Sequence, residues 1–175
     1  MIYNIVQLNL KKEIFMKLIR KVIIGLIKTT ANRFFFKNVD SSIKLLIISV
    51  GGTATTTLMN HLSKYIKTND QFDRDGLKHK RLINLSANQK VIYLIADPEL
   101  AYFSLKRRNY LRGNCKKLGF LSYAFLCKKL FIYEVNKVQS EWIKKSKKYP
   151  KKYLALHTSE IFESDLIIKE FTGIN

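Results

Sequence analysis

The residues best suited to chemistry are Gly51-Gly52-Thr53-Ala54-Thr55-Thr56-Thr57. A glycine pair lets successive backbone N–H groups turn toward an anion, and threonine hydroxyls are compact donors to phosphate oxygens. The apolar run Ile43-Lys44-Leu45-Leu46-Ile47-Ile48-Ser49-Val50 precedes the loop, and Leu58 to Ile66 reads as a helix after it. A strand, a glycine turn and a helix N-terminus in that order build a phosphate cradle, because the helix end adds partial positive charge. The competing reading of Thr55 and Thr56 is capping of that helix, which needs no ligand.

The elements around the loop set its place. After residue 41 apolar segments alternate between strand and helix patterns. A strand at 43–50 leads to a helix at about 55–66. A polar stretch from Thr68 to Arg81 and a weak apolar segment at 82–86 separate it from a second buried strand, Val91-Ile92-Tyr93-Leu94-Ile95. Asp97-Pro98 suits a helix start, with Asp at the cap and Pro in the first turn. That helix runs to about Arg108, and one long helical region spans Phe120 to Lys147. Tyr153 to His157 is a third strand and Glu163 to Phe171 a last helix. Strands separated by helices predict an α/β, three-layer α/β/α P-loop-type fold with a mostly parallel central sheet. In such sheets ligands sit at the strands' C-terminal ends, so Gly51–Thr57 and Ala96–Pro98 are expected to reach one ligand.

Residues 1–40 read as a basic arm ahead of a domain at 41–175. Phe15, Leu18, Ile19, Val22, Ile23 and Leu26 recur at helical spacing, with Lys12, Lys17, Arg20, Lys21 and Lys28 largely around them. The stripe of this N-terminal amphipathic helix is expected to pack on the domain, the other reading being peripheral contact with an anionic membrane surface. Met16 offers a second start codon besides Met1.

The chain's 175 residues fit one domain beyond this arm. Its 32 Lys and Arg against 13 Asp and Glu give a net charge of +19, a field that favours anionic partners. A lysine-rich proteome accounts for that excess equally well. Runs such as Lys144-Lys145-Ser146-Lys147-Lys148 suit an acidic glycan or membrane, or a plainly solvated helix face. No nucleic-acid-binding motif appears. Cys115 and Cys127 lack metal or redox spacing and read as buried thiols, and His61, His79 and His157 show no metal-binding pattern, so no metal is expected. The run Val22 to Ile27 falls far short of the roughly 20 residues a membrane span needs. A cytoplasmic protein, peripheral at the inner membrane face at most, is expected.

The combination resembles the sulfotransferase branch of the P-loop superfamily. There the first strand ends in a P-[KR]-[ST]-G-[TS]-[TS]-W-L type loop, and Gly51 to Leu58 is similar in register. A later strand in the family runs into an Arg-Asp/Asn-Pro turn followed by a Ser, and Ala96-Asp97-Pro98 with Ser104 is similar. Tyr153 to Glu160 and Phe171-Thr172-Gly173-Ile174 resemble the late strand and closing helix, so the likeness covers about residues 43–175.

The resemblance implies transfer of a sulfuryl group from 3′-phosphoadenosine 5′-phosphosulfate to a hydroxyl of a glycan or a lipid-linked precursor. Gly51 to Thr57 and Ser104 would bind the donor. By the same likeness His79 is the candidate base and Lys78, or Lys80, the candidate cation, with Asp73 or Asp75 as alternative bases. The departures are Gly52 and Ala96 in place of two phosphate-binding cations, Ala54 in place of a glycine, and an end at Asn175 ahead of the family's Gly- and Lys-rich loop. Lys78, Lys80, Lys106, Arg107 and Arg108 are the cations at hand to compensate. The competing expectation is a non-catalytic descendant that binds an anionic glycan, nucleotide or membrane surface.

Overall fold

A computed structural model describes residues 2–122 and 127–174. The chain begins with α1 (Ile2–Phe34) and a short strand β1 (Lys37–Asn38). The central sheet is built from β2 (Leu45–Ser49), β4 (Lys90–Ile95) and β5 (Tyr153–His157), in the order β2-β4-β5 and parallel throughout. A parallel pair needs a crossover. The connection from β2 carries α2 (Thr55–Leu62) and β3 (Ile83–Asn84), the latter paired in parallel with β1. The connection from β4 carries α3 (Pro98–Arg107), α4 (Leu111–Leu118) and α5 (Lys128–Lys148). After β5 a 3-10 turn leads to α6 (Asp165–Thr172).

Strand alternation sends side chains to two separate cores. Leu46, Ile48, Val91 and Tyr93 pack with Leu105, Phe131 and Trp142 of α3 and α5, while Leu45, Ile47, Ile92 and Leu94 pack with Leu58, Met59 and Ile168 of α2 and α6. Helices thus cover both faces, as the strand–helix alternation predicts.

The two edges of the sheet differ. Asn69 closes the outer edge of β2: its Oδ1 accepts the Ile47 N–H at 2.8 Å and its Nδ2 donates to the Ile47 carbonyl at 3.2 Å. No described strand pairs with the outer edge of β5.

Two expectations need correction. The long helix expected from Phe120 to Lys147 starts at Lys128, because Gly119 ends α4 with a left-handed φ of +70° and a separate segment follows. Residues 123–126 of the expected helix lie outside the described residues. The stripe on α1 does not pack over its length. Phe15, Leu18, Val22 and Ile23 are exposed, Ile19 and Leu26 are half-buried, and the buried residues among those described, Gly25 and Thr29, lie toward the end of the helix, where α1 lies against α4. No helix among the described residues is long and apolar enough to cross a membrane.

Candidate functional site

The chain leaves β2 at Ser49 and turns sharply. Gly51 and Gly52 both adopt positive φ, +89° and +76°. A side chain at Gly52 would stand 2.9 Å from the Ala101 carbonyl of α3, and one at Gly51 would strike the Asn114 carboxamide. Gly52 is therefore a packing glycine, and a family-type Lys or Arg cannot occupy it.

Hydroxyls fix the next turn. Thr55 Oγ1 bonds Ser49 Oγ at 2.7 Å and Thr53 Oγ1 at 2.5 Å, and Ser49 Oγ accepts the Gly51 N–H at 3.1 Å. The N-cap of α2 is Ala54, with no side-chain cap, so neither Thr55 nor Thr56 caps the helix. Among the described residues the backbone N–H groups from Gly52 to Thr57 have no acceptor. A run of free N–H groups at a helix start attracts an anion.

The polar stretch after α2 supplies the cation. Lys78 is buried, and its Nζ donates to Thr56 Oγ1 at 2.7 Å and to the Gln71 carbonyl at 2.9 Å. Burial lowers its pKa below the usual lysine value, against the pull of Asp73 and Asp70. Asp73, at a left-handed φ of 57°, accepts the Lys78 N–H at 2.9 Å and pairs with Lys117 of α4. Asp75 accepts the N–H groups of Leu77 and Asp70, so its carboxylate is spent on the loop.

His79 Nδ1 lies 2.9 Å from the Ser49 carbonyl, which can only accept. The proton therefore sits on Nδ1 and Nε2 keeps its lone pair. Burial holds the imidazole below its usual pKa, and the Ser49 carbonyl and Asp73 oppose that shift.

These groups border one cavity of about 480 Å³, lined by Gly51, Gly52, Thr53, Thr55, Thr56, Lys78 and His79, together with Asp73, Arg108, Tyr110, Asn114 and Lys117. Ala54, Thr57 and Ser104 do not line it. Ser104 instead receives hydrogen bonds from Arg108, 3.1 Å to its hydroxyl and 3.2 Å to its carbonyl. Of the compensating cations, Lys78 and Arg108 reach the cavity. Lys80 is turned to Asn32 of α1, at 3.1 and 3.3 Å. Ala96–Pro98 stays apart as well: the Ala96 carbonyl is taken by Gln139 at 2.9 Å, and Asp97 caps α3 through Glu99 and Leu100.

Sequence reasoning missed the wall from α4. Tyr110, Asn114 and Lys117 fall at helical spacing, a signal hidden because no helix was assigned there. Asn114 is 8% exposed, and its carboxamide has no partner among the described residues. Tyr110 is exposed at the cavity rim. Cys127 is exposed rather than buried, because it precedes α5 as its cap, while Cys115 is buried. No protein-family model, curated protein or solved structure matches this chain.

Proposed function

We propose that the cavity is the donor site of a sulfotransferase-like P-loop protein, nucleotide-binding and using 3′-phosphoadenosine 5′-phosphosulfate. One observation carries this reading: the Lys78 ammonium meets the Thr56 hydroxyl at an uncapped helix start whose backbone N–H groups are free. That combination offers a 5′-phosphosulfate both directed donors and a counter-charge.

The reaction follows from the same groups. His79 Nε2 accepts the proton of an acceptor hydroxyl, whose oxygen attacks sulfur. The bond from sulfur to the bridging phosphate oxygen breaks, and 3′-phosphoadenosine 5′-phosphate leaves with its new negative charge beside Lys78 and the free N–H groups. Asp73 holds Lys117 and the Lys78 backbone and acts as an organiser rather than a base. The acceptor class suggested by the basic surface is a glycan or a lipid-linked glycan.

A second reading, a non-catalytic descendant that binds an anionic ligand in the same cavity, draws on Ala96 and on Ser104 lying outside the cavity. Calorimetric titration with 3′-phosphoadenosine 5′-phosphate tests the donor site. Binding that Thr56→Val and Lys78→Ala both weaken supports it, and no heat at millimolar ligand dismisses it. Sulfuryl transfer to a hydroxyl acceptor, lost in His79→Gln with binding kept, separates the enzyme from the descendant.

A further inference from the structure

We propose that α1 docks the protein on an anionic lipid surface. Met16, Ile23, Ile27 and Phe34 stand at steps of seven, four and seven along the helix, and at 3.6 residues per turn they form one line. All four are exposed, Ile27 by 63% and Phe34 by 67%. Phe15, also exposed by 61%, widens the line on one side. Scattered apolar residues are normal on a surface, but a contiguous stripe of this length marks a contact.

The fold explains why the protein itself does not cover the stripe. Among the described residues its body is bonded to α1 at the end of the helix, where Asn32 Nδ2 donates to the Lys116 carbonyl at 2.9 Å and Lys80 reaches Asn32. Toward the N-terminus the helix runs on past α4, and its side chains from Glu13 to Ile24 face solvent apart from the half-buried Ile19.

Charge selects the occupant. Lys17, Lys21 and Lys28 share one flank of the helix, roughly 100–140° round from the line at 3.6 residues per turn, and are exposed, with Arg20 between them and the line. The sole carboxylate within α1 is Glu13, and it is paired to Lys17 at 2.7 Å. A helix lying in a bilayer interface sinks its apolar side among the acyl chains while flanking cations reach the headgroups. Each Lys or Arg near an anionic surface strengthens the attraction, and salt weakens it. A second copy of this chain fits worse, because it would bring another +19 against the first.

Flotation of the full chain with vesicles of phosphatidylcholine alone, or with 30% phosphatidylglycerol, tests the proposal. The expected bound fraction is several-fold higher on the anionic vesicles and falls in 0.5 M salt. Ile23→Ser/Ile27→Ser and Lys17→Glu/Lys21→Glu each cut it several-fold. Leu166→Ser, an exposed apolar change on α6, leaves it unaltered. Equal flotation of the wild type and the α1 variants overturns the docking role. So does a dimer in sedimentation velocity that the Ile23→Ser/Ile27→Ser change dissolves, since it gives the stripe to a second copy.

Discussion

The Lys78 ammonium donates a 2.7 Å hydrogen bond to the Thr56 hydroxyl, so a cation from 22 residues downstream stands at the start of α2. Gly52 leaves no room for a cation in the loop itself, because α3 passes 2.9 Å from where its Cβ would be. The positive charge reaches the site from the neighbouring loop instead.

Removing that charge is expected to weaken binding of 3′-phosphoadenosine 5′-phosphate by about tenfold or more, since a hydrogen bond to an ionised group contributes roughly 1.5–3 kcal/mol. Lys80→Ala leaves affinity unchanged, because Lys80 is committed to Asn32. Calorimetry on the two variants checks the contrast, and equal losses refute it.

Asn114 is the second residue to test. Its carboxamide has no partner among the described residues and borders the cavity over Gly51. Asn114→Ala is expected to lower ligand affinity several-fold with little loss of stability, since no internal hydrogen bond is broken. Asn114→Asp lowers affinity further by placing a carboxylate against an anion. Unchanged affinity in both variants removes Asn114 from the site.

Much of this arrangement is legible in the sequence because it is local. The buried runs at 45–49 and 90–95 are continuous apolar stretches, and Asp97-Pro98 announces α3 with its cap. The glycine–threonine turn is legible for the same reason, since glycines and threonines act where they stand. The wall from α4 is not. Leu111-Arg112-Gly113-Asn114-Cys115-Lys116-Lys117-Leu118 has five glycine or polar residues against three apolar ones, and its helix rests on the burial of Leu111, Cys115 and Leu118 in the core it shares with α3. Nor does sequence reveal that Lys78 reaches Thr56, because that contact depends on the loop folding along β2 through the Ser49 N–H and Lys78 carbonyl.

His79 couples folding to pH. Burial holds its folded pKa below the reference value of 6.5. As pH falls through 6.5 the unfolded chain takes up a proton that the folded one resists, so stability drops toward acid and is fully present above that value. The slope is at most about 1.4 kcal/mol per pH unit for one proton. Urea unfolding at pH 5 and pH 8 is expected to show a smaller acid loss in His79→Gln than in the wild type. An identical loss in both excludes His79 as its source.

Gly52→Ala is expected to destabilise the fold by roughly 1–3 kcal/mol, combining a disfavoured φ with a contact on α3 backbone that cannot swing away. Gly113→Ala, where a side chain meets nothing within 4 Å and the backbone is helical, is expected to be neutral or slightly stabilising. Thermal melts of both variants settle the comparison, and equal melting temperatures count against the packing role of Gly52.

The two cysteines are expected to differ in reactivity. Burial pushes the Cys115 thiol up to about 11, whereas Cys127 is exposed ahead of α5. A thiolate is the reacting form, so at pH 8 one equivalent of maleimide labels Cys127 and spares Cys115 until the protein is denatured. Rapid labelling of both in the native state contradicts the burial of Cys115.

The carboxamide of Asn69 has a consequence for how this sheet can grow. It copies the hydrogen-bonding face of a missing strand, so Ile47 on β2 is satisfied without one and offers nothing to a newcomer. Among the described residues no side chain does the same along the side of β5 away from β4. The sheet is therefore extensible in one direction only, and any segment that joins it as a further strand must do so along Tyr153–His157.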